Sequence, residues 1–163
     1  MKVLIVYDTK YGNTEKVAKL IAEGITSTDG NEALVNNVKD VNLKKDNSYN
    51  LILIGSPIHF GKHVGSVKKF INKLPKSQVK VNAYALFDTY MGDESETAEE
   101  GICSYKRMLE KMEKQINEVM PDLKKVSPGL SIKVDGMKGP IANEDLPKCQ
   151  DFGIKLIQEY KSL

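Results

Sequence analysis

Apolar positions along this chain fall into two rhythms. Val3 to Tyr7 (VLIVY), Leu51 to Ser56 (LILIGS) and about Val81 to Phe87 are short, nearly unbroken runs, the pattern of strands covered on both faces. Between them apolar residues recur every three or four positions, the helical period. Val17, Leu20, Ile21, Gly24 and Ile25 predict a helix opening near Asn13. Val64, Val67, Ile71 and Leu74 predict a second, stopped by Pro75. Ile102, Tyr105, Leu109, Met112, Ile116 and Met120 predict a long third from about Ala98 to Met120, ended by Pro121. Cys149, Phe152, Leu156, Tyr160 and Leu163 mark one face of a last helix from about Leu146, capped by Asp145 or Asn143. Residues 33–38 alternate weakly and read as an edge strand, and 130–134 as a short fifth strand. Strands alternating with helices predict an α/β fold, a doubly wound five-stranded parallel sheet in a three-layer sandwich. No linker or repeat interrupts it, so residues 1–163 read as a single domain.

Composition narrows the function classes. The 24 basic and 22 acidic residues nearly cancel, giving a net charge of +2, which argues against a dedicated nucleic-acid binder. No apolar run approaches the roughly 18 residues needed to span a bilayer. The start, MKVLIVYDTK, is too short in apolar residues for a secretory signal, so a cytoplasmic location is expected. Cys103 and Cys149 lie outside any CxxC pairing and read as two reduced thiols.

Ligands of such sheets sit at the carboxyl ends of the strands, where the strand order reverses. The loop after the first strand, Thr9-Lys10-Tyr11-Gly12-Asn13-Thr14, has the chemistry of a phosphate cradle. Thr9 and Thr14 offer hydroxyls, Asn13 an amide, and Gly12 a tight turn that lets consecutive N–H groups converge on an anion. The helix that follows adds its free amides and positive dipole end. The chain has no GxxxxGK[ST] and no GxGxxG, which leaves a single terminal phosphate as the best-suited anion. On composition alone, a loop that merely caps a helix fits as well. TKYGNT, directly after VLIVYD and before a helix, resembles the phosphate-loop signature of flavodoxins, and YNLILIGSPIHFG resembles their third strand and ring loop. The tail EDLPKCQDFGIKLI is similar to the flavodoxin-like domain of archaeal A-type (diiron) flavoproteins. The resemblance implies strand order 2-1-3-4-5, non-covalently bound flavin mononucleotide (FMN), and electron transfer.

Two further loops would then hold the flavin ring, which needs flat apolar partners and polar backbone along its pyrimidine edge. Ser56-Pro57-Ile58-His59-Phe60-Gly61 is stiff at Pro57 and pliant at Gly61, and Ile58, His59 and Phe60 offer apolar surface. The resemblance places near Phe60-Gly61 a peptide that reorients toward flavin N5 in the semiquinone. Asp88-Thr89-Tyr90-Met91-Gly92-Asp93 reads as the opposite loop, with Tyr90 as the aromatic partner and the backbone of Thr89 to Gly92 facing the ring. No tryptophan is available to stack there. His63 is read as a solvated residue at the start of a helix, and Met108, Met112 and Met120 as core or partner surface. Lys10, Lys62 and His63 beside the ring predict a second one-electron potential less negative than in acidic flavodoxins.

The leading expectation is an electron carrier that names no catalytic acid or base and no metal. It would shuttle electrons between redox proteins, such as a ferredoxin or a reductase, by transient docking, as a monomer or weak dimer. The acidic run Asp93-Glu94-Glu96-Glu99-Glu100 reads either as a docking surface or as a solvated face. The alternatives are an FMN-dependent enzyme resembling a quinone reductase or a menaquinone-dependent protoporphyrinogen oxidase, or a cofactor-free binding module. A response-regulator receiver is excluded because Gly55-Ser56 stands where it needs an acidic phosphoacceptor.

Overall fold

A computed structural model describes residues 1–92 and 106–163. Its strands are β1 (Lys2–Tyr7), β2 (Glu32–Asn37), β3 (Asn47–His59), β4 (Lys62–His63), β5 (Val79–Tyr90), β6 (Lys124–Lys125) and β7 (Leu130–Lys133). Its helices are α1 (Asn13–Thr26), α2 (Gly65–Lys73), α3 (Lys106–Val119) and α4 (Leu146–Lys161). The parallel order is β2-β1-β3-β5-β6, with β7 also on β5 and β4 folded back on β3. This is the expected 2-1-3-4-5 arrangement with its fifth position divided between two short strands. β6 pairs with Ala83 and Tyr84, and β7 with Phe87 to Tyr90. The division has a local cause: Pro128 has no N–H to give the ladder and Gly129 turns at φ 103°, so the chain bulges between the two pieces.

Alternation along the strands sorts the core into two sides. Val3, Ile5, Leu51, Leu53, Ala83, Ala85 and Phe87 pack under α1 and α4. Leu4, Val6, Ile52, Ile54, Tyr84 and Leu86 pack under α2 and α3. Met108, Leu109, Met112 and Ile116 are buried as predicted for the third helix, which ends at Val119; its proposed first turns, with Ile102, Tyr105 and Cys103, lie outside the described residues. Cys149 is buried and reduced, its thiol pushed up to about 11 chiefly by burial. No side chain caps α4: a 3-10 turn of Asn143 to Asp145 leads into it, and the Asp145 carboxylate accepts instead from Lys148.

Two strands run further than their apolar runs. β3 continues to His59, and β5 carries its ladder through Asp88, Thr89 and Tyr90, which the sequence reading placed in a loop. Partners on both sides, Ser56 and Pro57 of β3 and Ser131 to Lys133 of β7, keep these polar residues in the sheet.

Helices α1 and α4 meet backbone to backbone. A Cβ on Gly153 would stand 2.3 Å from the Ile21 carbonyl, and one on Gly24 would stand 2.0 Å from that of Gln150. Gly153→Ala is therefore expected to lower stability by about 1–3 kcal/mol, despite a gain of about 1 kcal/mol in helix propensity. Urea unfolding of the two proteins measures it, and an unchanged or higher midpoint would contradict the close contact.

Candidate functional site

At the carboxyl edge of the sheet, the segments following β1, β3 and β5 enclose a cavity of about 220 Å³. Thr9, Lys10, Tyr11, Asn13 and Thr14 bound one side; Pro57, Ile58, His59 and Phe60 a second; Thr89, Tyr90 and Met91 a third. Twelve of the predicted residues thus share one space. Gly12, Ser56, Gly61 and Gly92 do not line it but shape the segments that do. Gly12, Gly61 and Gly92 sit at φ 90°, 66° and 144°, where a side chain would be strained. Ser56 is buried and holds the root of the second segment, its hydroxyl donating to the Pro57 carbonyl and accepting from the Val64 amide.

The first loop is preset for an anion. Gly12 caps α1 without a side chain, and the first helical bond runs from the Lys16 amide to the Gly12 carbonyl at 3.0 Å. The amides of Asn13, Thr14 and Glu15 precede that bond and have no intrahelical acceptor. Thr9 Oγ1 accepts from the Gly12 amide at 2.9 Å, which closes the turn and leaves its own proton free to donate. Thr14 is more enclosed than a loop threonine would be: its hydroxyl lies 2.8 Å from that of Thr89, tying the first loop to β5. Lys10 is exposed, with its ammonium 5.3 Å from the Tyr11 ring centre.

The second segment is a hairpin. β4 pairs antiparallel to β3, Ile58 with His63 and His59 with Lys62, around the two-residue turn Phe60-Gly61. Both turn residues have positive φ, 49° and 66°, as the two-residue hairpin turn that matches strand twist requires. Phe60 is 103% exposed, so nothing packs on it to offset the left-handed backbone. His63 is not a solvated helix residue: it is buried, and its Nε2 donates to the Gln115 side-chain carbonyl at 3.2 Å, the tautomer set by that amide's two donations to the Lys68 carbonyl and Asn72. Burial pushes His63 below its ordinary value, and Lys68 and Lys111 add to that. Its neutral form is thereby favoured, which leaves the exposed Lys10 and Lys62 of the three cations expected beside the ring.

Two lining residues, Val134 and Met137, escaped the sequence reading. They belong to a strap that leaves β7 and returns through an antiparallel bridge between Val134 and Ile141. Tyr11 donates its hydroxyl to the Met137 sulfur at 3.3 Å, and Gly139 lies so close to the Asn13 side chain that a Cβ would be 2.6 Å from its Oδ1. A run with neither helical nor strand rhythm carries no signal for this. The acidic run beginning at Asp93 lies outside the described residues. Among the described residues no cluster suits a metal ion, and no helix is long and apolar enough to cross a membrane.

Behind the third segment stands Asp88, 0% exposed. Among the described residues neither carboxyl oxygen has a hydrogen-bond partner. Burial pushes it up to about 7, opposed only in part by Ser131 across the β5–β7 register; the Ser131 hydroxyl stands outside hydrogen-bonding geometry, so desolvation prevails.

The Flavodoxin domain family model matches residues 4–133. A flavodoxin of Aquifex aeolicus (strain VF5) is 35% identical over 71 residues, 44% of this chain and 38% of that protein. Across the first curated relatives the matched stretch spans 38 to 56% of their lengths. Among solved structures, a flavodoxin from the domain Archaea superposes with a TM-score of 0.73 at 24% identity, over 99% of both chains. The Flv1 flavodiiron core of Synechocystis sp. PCC6803 gives 0.68 at 17% identity, over 99% of this chain and 36% of that one. These superpositions establish the shared fold.

Two outcomes follow from the geometry. Phe60→Asn is expected to stabilise the protein by about 1 kcal/mol, because asparagine tolerates the left-handed turn and no buried contact is lost; a lower urea midpoint would contradict it. Asp88 is neutral in the fold up to about pH 7, whereas the unfolded chain ionises above 3.8. Its contribution is complete below about pH 4 and is lost as the pH rises to about 7. Between pH 5 and pH 8 the stability of the cofactor-free wild type is expected to fall by about 3 kcal/mol relative to Asp88→Asn. Parallel curves for the two proteins would show that Asp88 does not titrate there.

Proposed function

The chain belongs to the flavodoxin domain family, and from that premise we propose that it binds FMN without a covalent bond and passes electrons between redox proteins. The observation that carries this reading is one cavity with two unlike kinds of lining. Helix-start amides without an intrahelical acceptor and the Thr9 hydroxyl belong to the segment after β1, and Ile58, Phe60, Tyr90 and Met91 of the other two segments offer apolar surface. FMN has matching parts, a phosphate and a flat ring. Thr9 to Thr14 would hold the phosphate by neutral donors and the α1 dipole. Pro57 to Phe60 and Thr89 to Met91 would flank the ring, with Val134 and Met137 closing the remaining side.

The flavin supplies the redox chemistry when bound, and the protein binds, orients and excludes water. No residue is assigned as a catalytic acid or base. The electron donor or acceptor would be a ferredoxin or a reductase in the cytoplasm, docking transiently over the cavity mouth. Lys10, Lys62 and Lys138 are exposed next to lining residues, which favours an acidic face on that partner.

Fluorescence titration of the cofactor-free protein with FMN and riboflavin tests the reading. FMN is expected to bind at micromolar protein and more tightly than riboflavin. Thr9→Ala is expected to weaken FMN roughly tenfold by loosening the phosphate loop, and to leave riboflavin unchanged. No quenching by either flavin would remove the proposal. An absorbance spectrum during stepwise reduction then reads whether electrons enter one at a time.

A further inference from the structure

We propose that Asp88 is a proton-binding group built beneath the flavin cavity, and that it takes up a proton from solvent when an anionic flavin binds or is reduced there. The inference rests on the FMN reading and concerns this chain's own sheet. Asp88 lies on β5, one residue before Thr89, which lines the cavity and shares a hydrogen bond with Thr14 of the phosphate loop. In register it stands between Ser56 of β3 and Ser131 of β7. Its side chain follows Tyr84 and Leu86 toward the α2–α3 side.

Among the described residues this row gives the Asp88 carboxyl no hydrogen bond. Ser56 already donates to Pro57 and accepts from Val64, Ser131 is unpartnered, and both Asp88 oxygens are buried without a donor. Among the described residues, the groups with charge on the elements around it do not compensate. Asp8, beyond β1, is engaged by Ser66 and the Thr9 amide. Burial favours the neutral form of His63 of β4, against the opposing pull of its hydrogen bond to Gln115. Lys133 of β7 and Arg107 and Lys111 of α3 do not perturb Asp88, whose proton affinity is set by burial with Ser131 opposing. An unpaired buried carboxyl destabilises a fold, so packing gives no reason for an acid at this position.

It does have a use beside a flavin. A carboxylate and an anion share a low-dielectric neighbourhood unfavourably, so each raises the proton affinity of the other, and the coupling is reciprocal. One electron from a partner adds one negative charge to the flavin. Above about pH 7, where Asp88 is ionised, one solvent proton bonding to its carboxylate oxygen would cancel that charge, with no other bond made or broken.

The test is the FMN dissociation constant of wild type and Asp88→Asn, measured from pH 6 to pH 8.5. Wild-type affinity is expected to fall roughly tenfold more than that of the asparagine variant over this range. Superimposable pH profiles in a folded variant would overturn the coupling and leave the FMN reading standing. Loss of flavin binding at every pH would remove both. The carboxyl carbon resonance of Asp88 in wild type answers without a variant: its titration midpoint is expected to rise by about one pH unit on FMN binding. A midpoint that does not move would overturn the proposal.

Discussion

Tyr7, Gly55 and Phe87 stand in one register across three parallel strands, and the cavity depends on that alignment. Parallel hydrogen bonding makes β1, β3 and β5 finish at the same edge, so three segments distant in sequence begin side by side. The alignment is tight at its centre. A Cβ on Gly55 would fall 2.0 Å from the Phe87 ring, so glycine is what lets the aromatic lie across the middle strand. Gly55, which excluded a phosphoacceptor at the sequence level, thus has a packing cause.

Past that row the strands turn polar without leaving the sheet. Asp8, Ser56, Asp88 and Ser131 form a line on the α2–α3 side, while Thr89 reaches the α1 side to meet Thr14. A buried line of this kind costs stability wherever its members lack partners. Asp88 and Ser131 are the members without partners among the described residues, and Asp88 is the acid that adjoins the cavity. The stability cost and the proposed proton linkage are two consequences of one desolvated carboxyl.

The fold was legible wherever one signal dominated. VLIVY and LILIG are strands because continuous apolar runs need cover on both faces, and TKYGNT is a loop because glycine and asparagine follow such a run. Where chemistry depends on a distant partner, the sequence was silent. His63 looks exposed until Gln115, fifty-two positions away, covers it. Asp88, Thr89 and Tyr90 look like a loop because an acid and a threonine end the apolar run, yet ladders on both sides hold Asp88 and Thr89, and β7 holds Tyr90. Val134 and Met137 reach the cavity only because β7 is brought beside β5, a neighbourhood that local pattern does not encode.

The contact between α1 and α4 has a different kind of consequence. Gly24 and Gly153 let the two helices touch through main-chain atoms, so their spacing is fixed by covalent backbone dimensions. Side-chain volumes in the layer below have little say in it. Helix α1 carries the amides of the anion cradle at its first turn, and it is anchored near its other end. The cradle therefore sits on a helix whose distance from α4 is set by main-chain contact, while its height over the sheet is set by Val17, Ala18, Ile21 and Ile25.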